Sequence, residues 1–398
     1  MAPTQVVVTG MGALTPIGNG QTEFLAGLEN GRDGVGPIAG FDVSRHRVQR
    51  AAEVRWAKPA SSPYSRASEM ALAAMGEALA NAKLGPEQRD PARLGVVLAS
   101  NQGGMASFSE RYRELTFPYR RGPVDQGRTS RVMDSSPIST LDLLMANAGA
   151  HGPAYNISTA CSAGLHALGM AFDAIRNQEV DVVLVAGVEV LTEPALAGFA
   201  VLRALASGDS LCPFDCRRDG TLLGEGAAVL VVENAEHARA RGIEPWAEVA
   251  GYGSSTDAFH MTRPQMEGPA RAMTEALGHL PPEEVDWIKA HGTGTPANDV
   301  AEAQAIRSVF LRHQRVPVTS IKSMIGHSLG ASGVVESVAT ILAMKGGFVP
   351  QTLHLENLDP ECDLDVVSGQ PRANRGKAVL ANAFGFGGNN AAILFRAI

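Results

Sequence analysis

Short apolar runs alternate with longer stretches of helical periodicity along most of the chain. Residues 182–187 form a continuous apolar run, which is typical of a strand buried on both faces. Apolar side chains at helical spacing predict a long helix over residues 65–83. Further strands are predicted at residues 5–9, 93–99, 154–158, 222–233 (one or two strands), 247–253, 285–290, 316–320, 378–383 and 391–395, and further helices at 141–148, 161–177 and 330–344. Strands that alternate with helices indicate a layered α/β fold.

The second half of this pattern repeats the first. A strand, a turn and a helix follow one another over residues 154–177 and again over 316–344. We therefore predict two similar halves, residues 1–240 and 241–398, although generic recurrence of α/β units would give the same pattern. The arginine-rich segment 109–131 interrupts the pattern and is predicted to be a surface excursion.

Composition and charge exclude several classes of protein. The chain has 398 residues, of which 45% are hydrophobic and 19% charged, so it can bury a large core and is not disordered. A net charge of −7 argues against nucleic-acid binding. We expect neither a membrane span nor a cleaved secretory signal, because polar residues and proline break the longest uncharged run and no positive charge precedes the first apolar stretch. Four cysteines are too few for a disulfide framework, so we expect a cytoplasmic protein. Cys212 and Cys216 lack the second ligand pair of a zinc site, so no metal is expected.

A third cysteine, Cys161, lies where a predicted strand turns into a predicted helix. The start of a helix carries a partial positive charge that stabilises a thiolate. The small neighbours in Thr159-Ala-Cys-Ser-Ala-Gly164 leave the sulfur approachable. These features are typical of a nucleophile elbow. A buried structural cysteine would fit the local sequence equally well.

Two histidines lie in glycine-rich turns of the second half. His291 follows a predicted strand in Lys289-Ala-His-Gly-Thr-Gly-Thr295, whose glycines permit close approach by a ligand and whose threonines offer it hydroxyl groups. His327 ends the sequence Lys322-Ser-Met-Ile-Gly-His327, beside an apolar helix that contains Glu336. We predict that Lys322 and Glu336 pair in a dry polar site. A turn-capping histidine and a solvated ion pair are the alternatives.

These residues predict a carbon–carbon condensation. One cysteine and two histidines without an orienting carboxylate do not resemble a protease relay. Two neutral imidazoles could instead donate N–H groups to an enolate as carbon dioxide leaves a β-carboxylate, while the cysteine holds an acyl group. The loop 384–390 lacks the Lys-Ser/Thr of a phosphate loop. Its N–H groups are candidate oxyanion donors, and Phe384 and Phe386 are candidate walls of an acyl pocket.

Together these motifs resemble those of the β-ketoacyl-[acyl-carrier-protein] synthases, of the elongating type found in fatty acid and type II polyketide synthesis. Thr159-Ala-Cys-Ser162, His291-Gly-Thr-Gly-Thr295 and Lys322-Ser-Met-Ile-Gly-His327 occur in the family's order. The similarity runs over nearly the whole chain. It implies a thiolase-like α/β fold, in which two duplicated halves form a five-layer αβαβα core, and usually a homodimer.

The resemblance also implies a role for each matched residue. Cys161 would accept the acyl group, and His291 and His327 would support decarboxylation and condensation. Lys322 would support the two histidines, with Glu336 as its partner. The remaining implied roles are binding of the phosphopantetheine arm by Thr293 and Thr295, an oxyanion hole made by the N–H groups of Cys161 and Phe386, and a gate at the acyl pocket formed by Phe199 and Phe386.

The implied reaction joins an acyl group on Cys161 to malonyl-acyl-carrier protein and releases carbon dioxide and 3-oxoacyl-acyl-carrier protein. No metal or organic cofactor is implied, because phosphopantetheine arrives on the carrier protein. Asn389 stands where the fatty-acid enzymes usually have threonine, and residues 133–148 also look unlike those enzymes. These departures favour a specialised polyketide synthase, such as one that makes polyenes. Fatty acid elongation stays open, as does pairing with a chain-length factor instead of a second copy.

The carrier proteins of this family are acidic, so docking on a net negative chain needs a local basic patch. We predict that Arg203, Arg66 and part of the cluster 120–131 supply it. Two other functions remain as alternatives. A coenzyme A-dependent thiolase generally uses a second cysteine as base, and the other three cysteines lie in unsuitable sequences. A non-catalytic chain-length factor lacks the nucleophile that Cys161 would supply.

Overall fold

The computed structural model describes residues 4–59, 61–116, 136–310 and 316–398. Five main strands in each half of the chain build one large sheet. These strands are β1 (Val6–Thr15), β2 (Leu94–Ala99), β3 (Ala154–Ile157), β4 (Val182–Glu189), β5 (Gly226–Asn234), β6 (Ala247–Thr256), β7 (Trp287–Lys289), β8 (Pro317–Thr319), β9 (Ala378–Gly385) and β10 (Asn389–Arg396). Shorter strands lie at Gly18–Asn19, Gly36–Pro37, Arg50–Ala51, Phe348–Val349, Asp365–Val366 and Arg372–Ala373.

Helices cover the sheet and also pack between its two halves. They are α1 (Gln21–Glu29), α2 (Arg66–Asn81), α3 (Met105–Thr116), α4 (Pro137–Ala148), α5 (Ala163–Arg176), α6 (Glu193–Val201), α7 (Ala235–Ala240), α8 (Glu267–Leu277), α9 (Pro296–Phe310), α10 (Lys322–Ile325) and α11 (Ser332–Gly346). Three short 3₁₀ turns bear on the functional site and lie at Ala160–Ser162, Leu329–Ala331 and Phe386–Gly388.

The two halves share one strand order and one set of strand directions. The order is β3-β2-β4-β5-β1 in the first half and β8-β7-β9-β10-β6 in the second. In each half the first three strands are parallel and the last two pair antiparallel. β1 and β6 pair antiparallel and join the halves, with Val6 opposite Val249. The predicted duplication of an α/β unit is therefore confirmed, while the boundary at residue 240 stays a prediction.

The helices form three layers around the two halves of the sheet. α2 and α4 pack on the first half, and α8 packs on the second half with α9 beside it. α5 and α11 lie between the halves and contact each other. A Cβ at Gly164 would lie 2.6 Å from the backbone N of Val334, and one at Gly333 would lie 2.4 Å from that of Leu165. The two glycines thus let the helices meet backbone to backbone at their first turns, which brings together the residues that precede them.

Two strands extend beyond the boundaries that the sequence pattern predicted, at places where glycine follows or ends the predicted strand. The predicted strands 5–9 and 247–253 are in fact Val6–Thr15 and Ala247–Thr256. A Cβ at Gly12 would lie 2.1 Å from the carbonyl oxygen of Ala74 on α2, and a Cβ at Gly253 would lie 2.1 Å from that of Ala272 on α8. These glycines therefore do not end strands. They let an outer helix approach the strand closely, at matching places in both halves.

Other predicted boundaries differ in smaller ways. The helix predicted over residues 161–177 begins at Ala163, after the turn Ala160–Ser162. Region 222–233 contributes a single strand, Gly226–Asn234. Of the predicted surface excursion, residues 109–116 continue helix α3, and 117–131 lie outside the described residues.

Candidate active site

Cys161 lies in the turn between β3 and α5, and only 6% of it is exposed. Ala160, just before it, has a φ of +52°, a left-handed conformation that is uncommon for a residue with a side chain. This sharp turn presents the sulfur at the start of the helix. The structure thus gives Cys161 the elbow geometry that the sequence predicted.

His327 lies just before the corresponding turn of the second half. That turn, Leu329–Ala331, also begins with a left-handed residue, since Leu329 has a φ of +47°. The Nε2 atom of His327 lies 3.0 Å from Cys161 Sγ, and its Nδ1 lies 3.0 Å from Ser332 Oγ. The Ser332 hydroxyl, at the start of α11, therefore orients the His327 imidazole towards the Cys161 sulfur.

His291 follows β7 and completes the group. Its ring centroid lies 5.5 Å from that of His327, with the ring planes nearly perpendicular. Both imidazoles are buried. The Glu302 carboxylate on α9 accepts the backbone N–H groups of His291 at 2.7 Å and of Gly292 at 2.8 Å. Glu302 thereby fixes the start of the His291 turn.

Burial controls the ionisation of this group. It lowers the pKa of His291 and of His327 well below the usual value, and the nearby charge of Lys322 lowers both further. Both imidazoles are therefore neutral at pH 7, and each has one N–H to donate. This state is the one that the predicted enolate chemistry needs.

The same burial acts in the opposite direction on the thiol. It raises the pKa of Cys161 to about 12, although the Lys322 charge and the Phe386 N–H lower it. The position of Cys161 at the helix start therefore does not suffice to ionise the thiol, because desolvation dominates its pKa. The thiol is protonated before substrate arrives, and His327 Nε2 is the nearest ring nitrogen to it.

The predicted Lys322–Glu336 pair is present and buried. Lys322 Nζ lies 2.5 Å from Glu336 Oε1, and neither side chain is more than 1% exposed. The solvated alternative is therefore excluded. A second lysine that the sequence analysis did not single out, Lys289, lies 2.5 Å from Glu336 Oε2. A lysine inside the predicted strand 285–290, two residues before His291, was the available signal.

The C-terminal glycine loop lies directly against Cys161. A Cβ at Gly385 would lie 2.9 Å from the Thr159 carbonyl oxygen and 3.2 Å from the Cys161 backbone N, so a larger residue would push the loop away. The Phe386 N–H donates to the Cys161 sulfur. The N–H groups of Cys161 and Phe386 therefore come together where an oxyanion would form.

Aromatic rings line the apolar side of the site. The Phe199 ring of α6 lies 5.7 Å from that of Phe386 and 6.5 Å from that of His327, measured between centroids. The Phe384 ring lies 5.8 Å from that of His291. The predicted gate and pocket residues are thus assembled around the sulfur and the imidazoles.

A single cavity connects these groups to the surface. Besides Cys161 and both histidines, it is lined by the predicted residues Thr293, Thr295, Phe199, Phe384, Phe386 and Arg203. The Thr293 and Thr295 hydroxyl oxygens lie 3.0 Å apart. Gly292 and Gly294 have φ values of +43° and +75°. A side chain at Gly292 would meet Ser320, and one at Gly294 would meet Gly220. The two glycines therefore permit close packing within the protein, whereas the sequence had suggested close approach by a ligand.

The candidate docking arginines have different surroundings. Arg203 is exposed and lies at the cavity that contains Cys161. Arg66 instead donates to the carbonyl oxygens of Val54 and Trp56 and pairs with Glu225 at 2.9 Å. The Arg66 guanidinium thus makes its contacts within the first half of the chain, and the Arg66 side chain lines a cavity separate from that of Cys161. Both observations argue against the docking role predicted for Arg66. Residues 120–131 lie outside the described residues.

A further buried carboxyl group near the site was also missed. Glu189, at the end of β4, is 1% exposed, and its Oε1 accepts the Asn101 N–H at 2.5 Å. Asn101 in turn donates from its side chain to the carbonyl oxygen of Ala160 at 3.1 Å. This single acidic residue, two residues after the apolar run 182–187 and followed by Val190 and Leu191, was the available signal.

Comparisons with known proteins agree with this geometry. Residues 4–238 match the family model "Beta-ketoacyl synthase, N-terminal domain", and residues 246–356 match "Beta-ketoacyl synthase, C-terminal domain". A curated relative from Synechocystis sp., 3-oxoacyl-[acyl-carrier-protein] synthase 2, is 39% identical over 98% of both chains.

Two solved structures are similar over the full length of this chain and of their own. One is the ishigamide ketosynthase/chain length factor, with a TM-score of 0.93 and 34% identity. The other is the type II ketosynthase of AntDE:AntF, bound to the hexaketide and in complex with its acyl-carrier protein, with a TM-score of 0.90 and 32% identity.

The duplicated fold and the cysteine–histidine–histidine site define an acyl-transferring enzyme of the thiolase-like class. The chain belongs to the β-ketoacyl synthase family. Across the part of the chain that the structure describes, no helix combines the length and apolar character needed to cross a bilayer.

Proposed function

We propose that this enzyme condenses an acyl group held on Cys161 with a malonyl group on acyl-carrier protein. The observation that carries the proposal is the 3.0 Å separation of Cys161 Sγ and His327 Nε2, with His291 beside them in one buried cavity. Two neutral imidazoles beside a thiol suit a reaction that passes through an enolate.

The first half-reaction transfers the acyl group from the carrier to Cys161. The Cys161 sulfur attacks the acyl thioester of the carrier as its proton passes to His327. The N–H groups of Cys161 and Phe386 hold the oxyanion. The carbon–sulfur bond to the carrier then breaks, and the leaving pantetheine thiolate takes up the proton. The acyl enzyme and the free carrier thiol remain.

The second half-reaction forms the carbon–carbon bond. The malonyl carboxylate leaves as carbon dioxide, and the electron pair of the broken bond forms an enolate. Its oxygen accepts an N–H group from His291 and one from His327, in the His327 tautomer that carries the proton on Nε2 and accepts from the Ser332 hydroxyl at Nδ1. The enolate carbon attacks the Cys161 thioester, whose carbon–sulfur bond breaks. One proton is taken up by the sulfur, and 3-oxoacyl-acyl-carrier protein is released.

The geometry also bears on the two alternative functions. A thiolase that uses a second cysteine as base would need that cysteine beside Cys161, but among the described residues the cavity is lined by no other cysteine. A non-catalytic chain-length factor would not need the nucleophile, the two histidines and the oxyanion donors together. Condensation is therefore favoured over both.

Further parts of the proposal concern partners and place of action. We propose that an acyl carrier protein docks at the cavity mouth beside Arg203, and that it brings the phosphopantetheine that Thr293 and Thr295 bind. No metal or organic cofactor is needed for these steps. All four cysteines are free thiols, which fits a cytoplasmic enzyme. The partner subunit is a second copy or a chain-length factor.

The test is intact-protein mass after incubation with carrier proteins that bear saturated or polyene acyl groups. We expect an acyl increment on the wild type and on Cys216→Ala, which removes an exposed cysteine, and no increment on Cys161→Ala. Malonyl-carrier protein should then discharge the acyl enzyme and release carbon dioxide. The preferred acyl group distinguishes fatty acid from polyene substrates. The proposal is wrong if no acyl group is accepted, either alone or with a co-expressed chain-length factor.

A further inference from the structure

Glu336 is held by two buried lysines, and only one of them belongs to the motif around His327. Lys322 Nζ lies 2.5 Å from Oε1, and Lys289 Nζ lies 2.5 Å from Oε2. Lys289 Nζ also donates to the Asn382 carbonyl oxygen at 2.6 Å. Each of the three charged side chains is at most 1% exposed. Loss of one partner from such a group leaves an uncompensated buried charge, so each contact matters.

Lys289 connects the elements that carry the site. It ends β7, two residues before His291, and β7 runs parallel to β8 on one side and β9 on the other. Its ammonium group reaches α11 through Glu336 and β9 through Asn382. Glu336 is therefore fixed relative to the strand that leads into His291. Without Lys289, Oε2 would lose its ammonium partner, and Glu336 could no longer hold Lys322 in a single position.

The charges of this group act on one another. Glu302 interacts electrostatically with Lys289 and accepts the backbone N–H group of His291. Burial lowers the pKa of Lys289 and raises the pKa of Glu302, and the opposite charge of each partner counteracts the shift. Removal of Lys289 would leave Glu336 with one lysine partner and would take a positive charge away from the imidazoles.

We propose that Lys289 is a positioning residue of the condensation site. It fixes Glu336 through Oε2, so that Oε1 holds Lys322 beside His291 and His327. It acts through these groups and touches neither the substrate nor the sulfur. The inference rests on the proposed function, because the geometry that Lys289 maintains is that of the condensing residues.

The first test compares Lys289→Met with Lys345→Met, which removes an exposed lysine from the same helix, α11, as Glu336. We expect Lys289→Met to lower kcat about tenfold with little change in KM for malonyl-carrier protein. Lys345→Met should behave as the wild type. An unchanged kcat in Lys289→Met would overturn the proposal.

The pH profile gives a readout that a merely structural role would not move. The charges of Lys289 and Lys322 lower the pKa of both histidines, so loss of Lys289 raises it and shifts the acid limb of activity to higher pH, by about one unit. Among the described residues, the other ionisable groups that face this cluster are Cys161 before α5, Lys322 on α10, Glu336 on α11, Glu302 and Asp299 on α9, and Glu189 on β4. They are unchanged in Lys289→Met. An acid limb that stays in place contradicts the proposal.

A double variant tests whether Lys289 acts through Lys322. If it does, Lys289→Met combined with Lys322→Met is no slower than Lys322→Met alone. An independent structural effect would instead multiply the two losses, which would overturn the inference. Lys289→Gln keeps an N–H donor near Glu336 and Asn382, and should retain more activity than Lys289→Met. Lys289→Gln also tests the proposal if Lys289→Met fails to fold.

A last measurement separates this inference from the proposed function. Alkylation of Cys161 by iodoacetamide, followed on its peptide by mass spectrometry, needs no turnover. The Lys322 charge favours the thiolate, so alkylation should slow in Lys322→Met and, less strongly, in Lys289→Met and Lys289→Gln. Equal rates in wild type and both Lys289 variants would overturn the role of Lys289 even in an active condensing enzyme. A wild type that alkylates as expected but never condenses would overturn only the proposed function.

Discussion

Around the Cys161 sulfur, the pKa of each buried ionisable group depends on how far nearby charges and hydrogen bonds offset the cost of its burial. Three backbone N–H groups, from Asn101, Gln102 and Gly330, donate to Glu189, yet burial outweighs them and raises its pKa to about 8. In the unfolded chain a glutamate ionises near its usual pKa of about 4.3. Between these values the folded protein keeps a proton that the unfolded chain has lost.

This difference predicts a pH dependence of stability. Because the native state binds more protons, the free energy of unfolding contributed by Glu189 falls as pH rises from about 5 to 8, by about 1.4 kcal/mol per pH unit at most. Glu189→Gln keeps an oxygen acceptor for the three N–H groups but cannot ionise. We expect its stability to fall less steeply over this range, as measured by denaturant unfolding at several pH values. Glu179→Gln, at an exposed site, should keep the wild-type slope, and the same slope in Glu189→Gln would contradict the prediction.

Functional residues could be predicted from the sequence where they lie in a short, distinctive motif. Cys161, His291 and His327 each lie among small or glycine residues, which distinguishes them in the amino-acid sequence alone. Glu302 lies in an ordinary helical sequence, and Lys289, although it begins the His291 motif, does not reveal its partner there. Lys289 meets Glu336 47 positions away, and a contact at that separation is set by the packing of β7 against α11 and not by local pattern. The Cys161 pKa likewise depends on burial by the whole fold, which the local sequence around the helix start does not reveal.

At the scale of elements, glycines set how closely helices lie on strands. Gly12 and Gly253 occupy matching positions in β1 and β6, and each faces a backbone carbonyl of an outer helix. From sequence these glycines looked like strand ends, because a glycine that faces solvent and one that faces a helix have the same pattern. Strand and helix order could be predicted from periodicity, whereas such contacts between elements could not.

Alanine at either glycine should therefore destabilise the protein. In Gly12→Ala and in Gly253→Ala the new methyl group would lie 2.1 Å from a helix carbonyl oxygen, so the helix must shift. We expect a loss of about 1–3 kcal/mol in the free energy of unfolding for each variant, measured by denaturant titration. Gly76→Ala is the control, since a Cβ at Gly76 on α2 has no neighbour within 4 Å among the described residues. It should stabilise by about 0.5–1 kcal/mol, as alanine favours a helix. Equal effects at the three sites would contradict this account.

For the whole molecule, we predict that a partner subunit binds at the outer edge of the sheet. β3 pairs with β2 on one side, and within the described ranges no strand pairs with its other side. An open strand edge invites pairing with another chain unless it is protected. Tyr155 on β3 is 49% exposed and Ile138 on the adjacent helix α4 is 51% exposed, so two large apolar side chains are exposed beside this edge. A two-fold pairing here would place the same edge of each subunit against the other.

This arrangement predicts that a charge on β3 separates the subunits. In Tyr155→Lys, two ammonium groups would meet across a two-fold seam, and we expect the dissociation constant of the dimer to rise about tenfold or more. Light scattering during size-exclusion chromatography measures the mass of the species. Ile398→Lys, which changes an exposed apolar residue at the other end of the chain, should leave the mass unchanged. If Tyr155→Lys forms dimers as strongly as the wild type, β3 is not the seam. A third outcome is that the wild type alone is monomeric, that it binds a co-expressed chain-length factor, and that Tyr155→Lys blocks this complex. In that case β3 is the seam and the partner is the chain-length factor.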